Sequence, residues 1–374
     1  MHSGGVSMNQ SANITKYTQR NYGIDLLRLV AGFYVVLLHS FTLGGLYAAT
    51  KPLSYQEITG RIVLIVTFCC VNIFGIVSGY VGYREPLKKH NYYGYFPVWL
   101  TVVFYCIINT GIYMIFFPGP AIRQFLRISL LPLTSDLYWY FSGYTFVYFL
   151  APYLNKMLYY SSDKELKQLF FIILAVFITV EYVGGSFEFG GGYASVWLLL
   201  LYLLGGILKK TEIGSIIPSY LLVLALIATN ALYFYIGSKW TTITVLSFTL
   251  DFSVSGYLTS PFLVATAILH VMLFSRFRFP AFAQKVIRFA APASFSVYIL
   301  NTYPPFWDLF IKGRFRAWAT SSPIGILART ICAALAFVCA VVIVDYFRQK
   351  LFNLLGVQNW PKKFFGLFHK SSAA

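Results

Sequence analysis

Charge is what this 374-residue chain has least of. Only 11% of its residues are Asp, Glu, Lys or Arg, where soluble domains carry roughly a quarter, and an ordinary soluble enzyme is excluded on that ground. Acids are the scarcer sign, 12 against 29 Lys+Arg, for a formal net charge of +17. On a soluble chain that excess would suggest a nucleic-acid partner. Here 58% of residues are hydrophobic and 19% aromatic, with a mean hydropathy of +0.68. In an α-helical membrane protein, surplus Lys and Arg mark cytoplasmic loops, so no nucleic-acid partner is expected.

Other absences narrow the reading further. The five cysteines, Cys69, Cys70, Cys106, Cys332 and Cys339, all fall inside hydrophobic runs, which speaks against a disulfide framework or a zinc site. His2, His90, His270 and His369 lack metal-ligand company at useful spacing, and no metal is expected. No charged region, short apolar core and small-residue cleavage site precede the first hydrophobic segment, so that segment is expected to be retained. No loop exceeds about twenty residues, leaving no room for a second, soluble catalytic domain. There is also no visible inverted repeat of the transporter kind.

What the chain does have is ten apolar stretches near the length needed to span a bilayer, roughly 20 residues. They run Tyr22 to Leu43, Thr59 to Val81, Tyr92 to Phe117, Leu137 to Leu158, and Leu169 to Val183. Then follow Tyr193 to Leu208, Ile217 to Ile236, Leu258 to Phe274, Phe289 to Ile311, and Pro323 to Phe347. The expected fold is all-α: a polytopic membrane bundle of about ten helices over residues 22–347, with tails at 1–21 and 348–374. With the N-terminus inside, and with Arg61 and Lys156 at the ends of their stretches counted to the adjoining loops, nineteen of the 29 Lys and Arg fall on inner segments and eight on outer ones, leaving Arg28 and Arg329 within spans. The positive-inside rule then places both termini in the cytoplasm.

An ionisable residue inside a span marks a functional site by default, because hydrocarbon penalises it by several kcal/mol unless it faces a cavity or a partner. The first span carries Asp25, Arg28 and His39. Eleven residues separate Arg28 from His39, which returns them to nearly the same helix face about 16 Å apart. Gly32 and Val35 lie between them with little bulk, and Asp25 is spaced to pair with Arg28. The plainer alternative is a juxtamembrane Asp25–Arg28 pair snorkelling to the inner interface, with His39 in the outer headgroups. The second span adds intramembrane Asn72, a small-residue packing face at Gly75 and Gly79, and Ser78 and Tyr80 near a basic inner loop.

These residues resemble the membrane-bound acyltransferase-3 family, whose mark is Arg or Lys, ten residues, then His in the first span. Here it reads Arg28 to His39 in IDLLRLVAGFYVVLLH. NIFGIVSGY resembles the family's second-span ending, and LYWYFSGYTFVYFLAPYL, GGYASVWLLLLYLLGGILKK and SFSVYILNTYPPFW follow as weaker matches in the family's order. The resemblance covers nearly all of the chain. It implies a ten-helix enzyme that moves an acyl group, commonly acetyl from acetyl-CoA, onto a hydroxyl of a carbohydrate or other envelope acceptor. No tightly bound cofactor is implied; acetyl-CoA or another acyl-CoA is the donor substrate.

On that resemblance His39 is the catalytic residue and Arg28 positions the donor. The donor's phosphates would lie near Arg28 and the loop of Arg84, Lys88 and Lys89, with Ser78 beside them, although positive-inside topology alone also accounts for the loop. His39 would serve as general base or as acyl acceptor. Asp25, Asn72, Tyr80, Trp139, Glu181 and Asn301 are candidates for the acceptor cavity, and Glu181 or Asp136 for an acid orienting His39. The chain departs from the family at Asn301, where His is frequent. Lys312, Arg314 and Arg316 could meet an anionic acceptor or lipid headgroups, and Asp308 and Arg329 read as an ion pair. The rival function is a transporter or flippase for a saccharide or lipid-linked substrate, since intramembrane charges serve that role too.

Overall fold

The computed structural model describes residues 20–87, 90–117, 122–135, 137–240, 242–245, 248–252 and 257–364. Helix α1 (Tyr22–Phe41) begins where the Asn21 side chain accepts the Ile24 amide, 3.1 Å, relieving one of the unpaired amides at a helix start. Its buried residues Ile24, Leu27, Ala31, Val35 and Leu38 recur every three or four positions, the period of one helix face. This face seats α1 among its neighbours at the centre of the bundle.

The second expected span forms α2 (Tyr55–Thr67) and α3 (Cys70–Gly82), broken only at Phe68 and Cys69. Next come α4 (Tyr95–Phe116), a short helix α5 (Ile122–Leu130) and α6 (Trp139–Tyr160). Helix α7 (Asp163–Ile172) starts with a capping box between Ser162 and Glu165 and runs through a π turn, Ile173–Ile178, into α8 (Thr179–Gly184). Together they form one 22-residue helix long and apolar enough to cross a membrane, longer than the short fifth stretch read from the sequence. Helices α9 (Ser195–Thr211) and α10 (Ser219–Lys239) follow. A small antiparallel hairpin, β1 (Thr242–Val245) with β2 (Phe248–Asp251), then leads to α11 (Pro261–Phe274). The hairpin is the one departure from an all-helical chain among the described residues.

The ninth stretch is not the continuous span expected. It divides into α12 (Ala281–Ala290), a turn at Ala291–Ala293, and α13 (Ser294–Thr302). Tyr303 then turns extended (φ −73°, ψ 122°) ahead of Pro304 and Pro305. Proline carries no amide hydrogen and disfavours helical backbone in the residue before it. The last helix, α14 (Pro323–Leu354), has 32 residues, so the first residues of the expected C-terminal tail continue the helix. Six helical segments among the described residues are long and apolar enough to cross a membrane: 22–41, 55–82, 92–116, 163–184, 219–239 and 323–354. The chain is a polytopic membrane helical bundle.

Helices α3 and α9 meet backbone to backbone. A Cβ on Gly79 would lie 1.8 Å from the Tyr202 carbonyl oxygen, and one on Gly205 would lie 1.9 Å from that of Ile76. Small residues permit this approach, and in a bilayer close packing is a main source of helix association. Gly79→Ala is therefore expected to cost about 1–3 kcal/mol through overpacking. Gly111→Ala, where a Cβ meets nothing within 4 Å, should be neutral or slightly stabilising. Thermal unfolding in detergent compares the two, and equal midpoints would contradict the seam.

Candidate active site

His39 occupies the last turn of α1, and its Nδ1 hydrogen-bonds the Oδ1 of Asn301 in the last turn of α13. A carboxamide oxygen only accepts, so Nδ1 is the donor, and in the neutral ring the lone pair is then on Nε2. Nε2 makes no hydrogen bond among the described residues, and the His39 side chain is half-buried.

The sequence explains how Asn301 is held. Four residues on stands Pro305, which has no amide hydrogen to give the Asn301 carbonyl. The chain turns at the prolines, and the Trp307 indole N–H supplies that bond instead. The Trp307 ring then meets His39 edge-on, 5.7 Å between centroids. On the other side of the turn, the Tyr303 hydroxyl bonds Thr110 Oγ1 at 2.5 Å and Ser129 Oγ at 3.1 Å, tying the break to α4 and α5.

Toward the opposite end of α1 lies a cavity of about 830 Å³, bordered by Arg28, Ser78, Arg84, His90, Tyr298 and Arg348, among others. Arg28 is half-buried and makes no hydrogen bond or ion pair among the described residues. Its expected partner Asp25 pairs instead with Arg20, 2.5 Å, because the residues just before α1 bring Arg20 back over the first turn. Arg84 is exposed, and Ser78 donates to the Phe74 carbonyl at 2.8 Å. Lys88 and Lys89 lie outside the described residues, as do Asp136, His2 and His369. Tyr298, one turn before Asn301, meets Tyr140 edge-on at 5.5 Å where both border the cavity. His39 itself does not line it.

The remaining candidates are placed elsewhere. Asn72 is fully buried and saturated, donating to the Leu258 carbonyl (2.8 Å) and accepting from Trp197 Nε1 (3.1 Å). Both Glu181 carboxylate oxygens accept backbone amides, from Phe187 at 3.0 Å and Phe189 at 2.9 Å, and so close a loop. Trp139 packs on Tyr193, 4.7 Å between centroids. Tyr80 borders a second cavity of about 580 Å³ with Arg20 and Lys209, and the Lys209 ammonium lies 5.7 Å from its ring centre. Asp308 and Arg329 do not pair: Asp308 meets Lys312 at 3.6 Å and Arg329 donates to Ser321 at 2.9 Å.

One polar centre escaped the sequence reading. Asp345, fully buried in α14, accepts from Tyr105 (2.8 Å), Ser296 (2.6 Å), Arg348 Nε (2.6 Å) and Gln349 (2.7 Å). Arg348 reaches on to Thr101 at 3.1 Å. The network clamps α4, α13 and α14 around the cavity. An acid three residues before an arginine at the end of an apolar run was the available signal, hidden by the assumption that the membrane domain ended at residue 347. Removing one partner of a buried ion pair typically costs about 3–5 kcal/mol. Asp345→Ala should accordingly lower the unfolding midpoint sharply, whereas Lys312→Ala, breaking an exposed pair, should not; similar midpoints would argue against the clamp.

No curated protein and no solved structure matches the chain. A family model described as an acyltransferase domain, acyltransferase-3, matches residues 21–345. That match begins at the cap of α1 and ends on Asp345, so it contains His39, Asn301 and Arg28 together. The chain belongs to the acyltransferase-3 family of membrane-bound acyltransferases.

Proposed function

We propose that this protein is an integral membrane O-acyltransferase, moving an acyl group, expected to be acetyl, from acyl-CoA to a hydroxyl of a cell-envelope or exopolysaccharide glycan. The observation that carries this reading is His39, whose Nδ1 is held by Asn301 and whose Nε2 makes no hydrogen bond among the described residues, on the same helix as Arg28, which borders a basic cavity. The eleven-residue step between them corresponds to about 16 Å along the helix. A small group on a long flexible arm suits such a layout, and the pantetheine of CoA is one. Guanidinium groups suit the donor's phosphates through charge-assisted hydrogen bonds, and Arg28 and Arg84 both border the cavity; Lys88 and Lys89, outside the described residues, follow Arg84 in the sequence.

In the direct route, Nε2 takes the proton of the acceptor hydroxyl as its oxygen attacks the thioester carbonyl. The tetrahedral intermediate collapses with loss of the CoA thiolate, and the imidazolium returns the proton to sulfur. In the two-step route Nε2 itself attacks the carbonyl and CoA leaves as thiolate, giving an Nε2-acyl imidazolium that keeps its Nδ1 proton; the acceptor hydroxyl then takes the acyl group, Nε2 is freed, and the hydroxyl's proton neutralises the thiolate. The direct route needs both substrates in one cavity, while the second also serves a donor and acceptor on opposite faces.

The proposed topology has about ten crossings over residues 22–347, with the two tails and the donor cavity on the cytoplasmic side. Its support is the Lys and Arg excess on that side. The partners are then the bilayer, acyl-CoA and a carbohydrate acceptor.

Purified protein given acetyl-CoA and acceptor should release CoA thiol, and His39→Ala should reduce the rate by about 10²–10⁴-fold, the usual worth of a positioned acid–base group, at unchanged expression. Arg28→Ala should chiefly raise KM for acyl-CoA. Full activity in His39→Ala would remove the catalytic assignment, and saccharide transport without thiol release would favour the flippase.

Asn301→Leu separates positioning from chemistry. It should lower kcat by about 10-fold or more through loss of the fixed tautomer while leaving KM for acyl-CoA unchanged; an unaltered kcat would show that the Asn301 contact does not serve the reaction. Mass spectrometry of surface polysaccharides from cells with and without the protein should show a difference of one acyl group.

A further inference from the structure

The end of α1 that bears His39 is bound directly to a cationic loop. The His39 carbonyl accepts the Gly44 amide at 2.8 Å, and the Gly44 carbonyl accepts the Phe315 amide at 3.1 Å. One residue away, the Leu43 carbonyl accepts the Gly313 amide at 3.1 Å. From the other side, Trp307, whose ring packs on His39, accepts the Lys312 amide on its carbonyl at 2.8 Å. Only glycine permits this approach at position 44, since a Cβ there would lie 2.2 Å from the Ser40 carbonyl oxygen and 2.3 Å from the Phe315 ring.

The loop presents Lys312, Arg314 and Arg316, all exposed. Lys312 meets Asp308 at 3.6 Å, and neither Arg314 nor Arg316 forms an ion pair among the described residues. The stem of Arg316 lies against Gly45, and Trp318 packs on Phe315 with 4.8 Å between centroids. Three cations within five residues are thus fixed to the backbone of the histidine's own helix turn, next to half-buried tryptophans.

Resting on the acyltransferase reading, we propose that this loop is the acceptor-recognition element and that the acceptor is an anionic glycan, held by Arg314 and Arg316 while its sugar hydroxyl reaches Nε2 of His39. Free guanidinium forks match carboxylate or phosphate groups, and aromatic faces beside them suit sugar rings. A lipid headgroup anchor needs cations at this depth but has no use for their rigid attachment to the His39 turn. The loop also stands out against the distribution of charge, because three of the eight cations on the expected outer side gather here.

The test uses purified full-length protein in neutral detergent, with an oligogalacturonate and its fully methyl-esterified, uncharged form as probes. The carboxylated probe should bind more tightly, with a preference that shrinks as salt rises. An Arg314→Gln/Arg316→Gln protein should lose about 10–100-fold of that binding, at roughly a factor of ten for each charge-assisted contact, and Arg314→Lys/Arg316→Lys, which keeps the charge and loses the fork, should fall between the Gln protein and wild type. With acetyl-CoA present, the Gln protein should show a raised KM for the acidic acceptor and an unchanged KM for the donor.

Equal binding of acid and ester, or full binding by the Gln protein, overturns the proposal. So does an effect of the Gln substitutions confined to bilayers containing phosphatidylglycerol and absent in phosphatidylcholine alone, which would make the loop a lipid anchor. Binding needs no donor, so a wild-type protein that binds the acidic probe yet releases no thiol from acetyl-CoA sinks the acyltransferase reading and not the loop.

Discussion

A bilayer interior offers no water to a polar group, so every such group must find a partner, face a cavity or be paid for in stability. This constraint organises the molecule. Among the described residues the buried carboxylates are all satisfied: Asp25 by Arg20, Glu181 by two backbone amides, and Asp345 by four side chains. Asn72 is saturated in the same way. Arg28 and Nε2 of His39 make no hydrogen bond among the described residues. A few buried neutral atoms, Asn109 Nδ2 and Ser294 Oγ among them, also lack one, but Arg28 and Nε2 of His39 are the ionisable groups that the central helix leaves without one. Structure accounts for the carboxylates, and the proposed function assigns Arg28 and His39 to the substrates.

The break after α13 is the device that makes the His39 end of the bundle. Pro304 and Pro305 stop the helix one turn beyond Asn301, which frees the Asn301 carbonyl, turns Trp307 back onto it and leaves Tyr303 to anchor the turn to α4 and α5. The same reversal delivers the chain to the loop that docks on Leu43 and Gly44. An unbroken ninth helix would carry Trp307 and the cationic loop away from His39. Backbone irregularity at membrane depth is tolerated only where protein or a cavity surrounds it, and Tyr303 is indeed fully buried.

Much of this was legible in the sequence. Hydropathy reports environment, so it found the apolar stretches, and glycines four apart at Gly75 and Gly79 marked a packing face, though not α9 as its partner. Partners were harder, because pairing is a long-range property. Asp25 was matched to Arg28 on helical spacing, whereas the chain ahead of the helix folds Arg20 onto it. Asn301 was noticed for its identity, but its bond to His39 joins residues 262 apart in sequence. The proline break was in plain view and was lost to averaging over an apolar window. Asp345 fell beside a boundary drawn where the hydropathy faded, although the helix runs on to Leu354.

The choice of asparagine beside His39 follows from the same low-dielectric setting. An aspartate there would stabilise an imidazolium more strongly, but it would add a charge that the surrounding apolar groups could not solvate. A second histidine would leave the tautomer open, since either ring nitrogen can donate or accept. The carboxamide oxygen of Asn301 only accepts, so it fixes the proton on Nδ1 and leaves Nε2 open at no cost in buried charge. The amide gives up electrostatic help in the transition state and gains a resting state that is neutral, oriented and compatible with the bilayer. Under the proposed function, the cations that meet the substrates are then held apart from the imidazole, in the cavity toward one end of α1 and in the loop docked on the other.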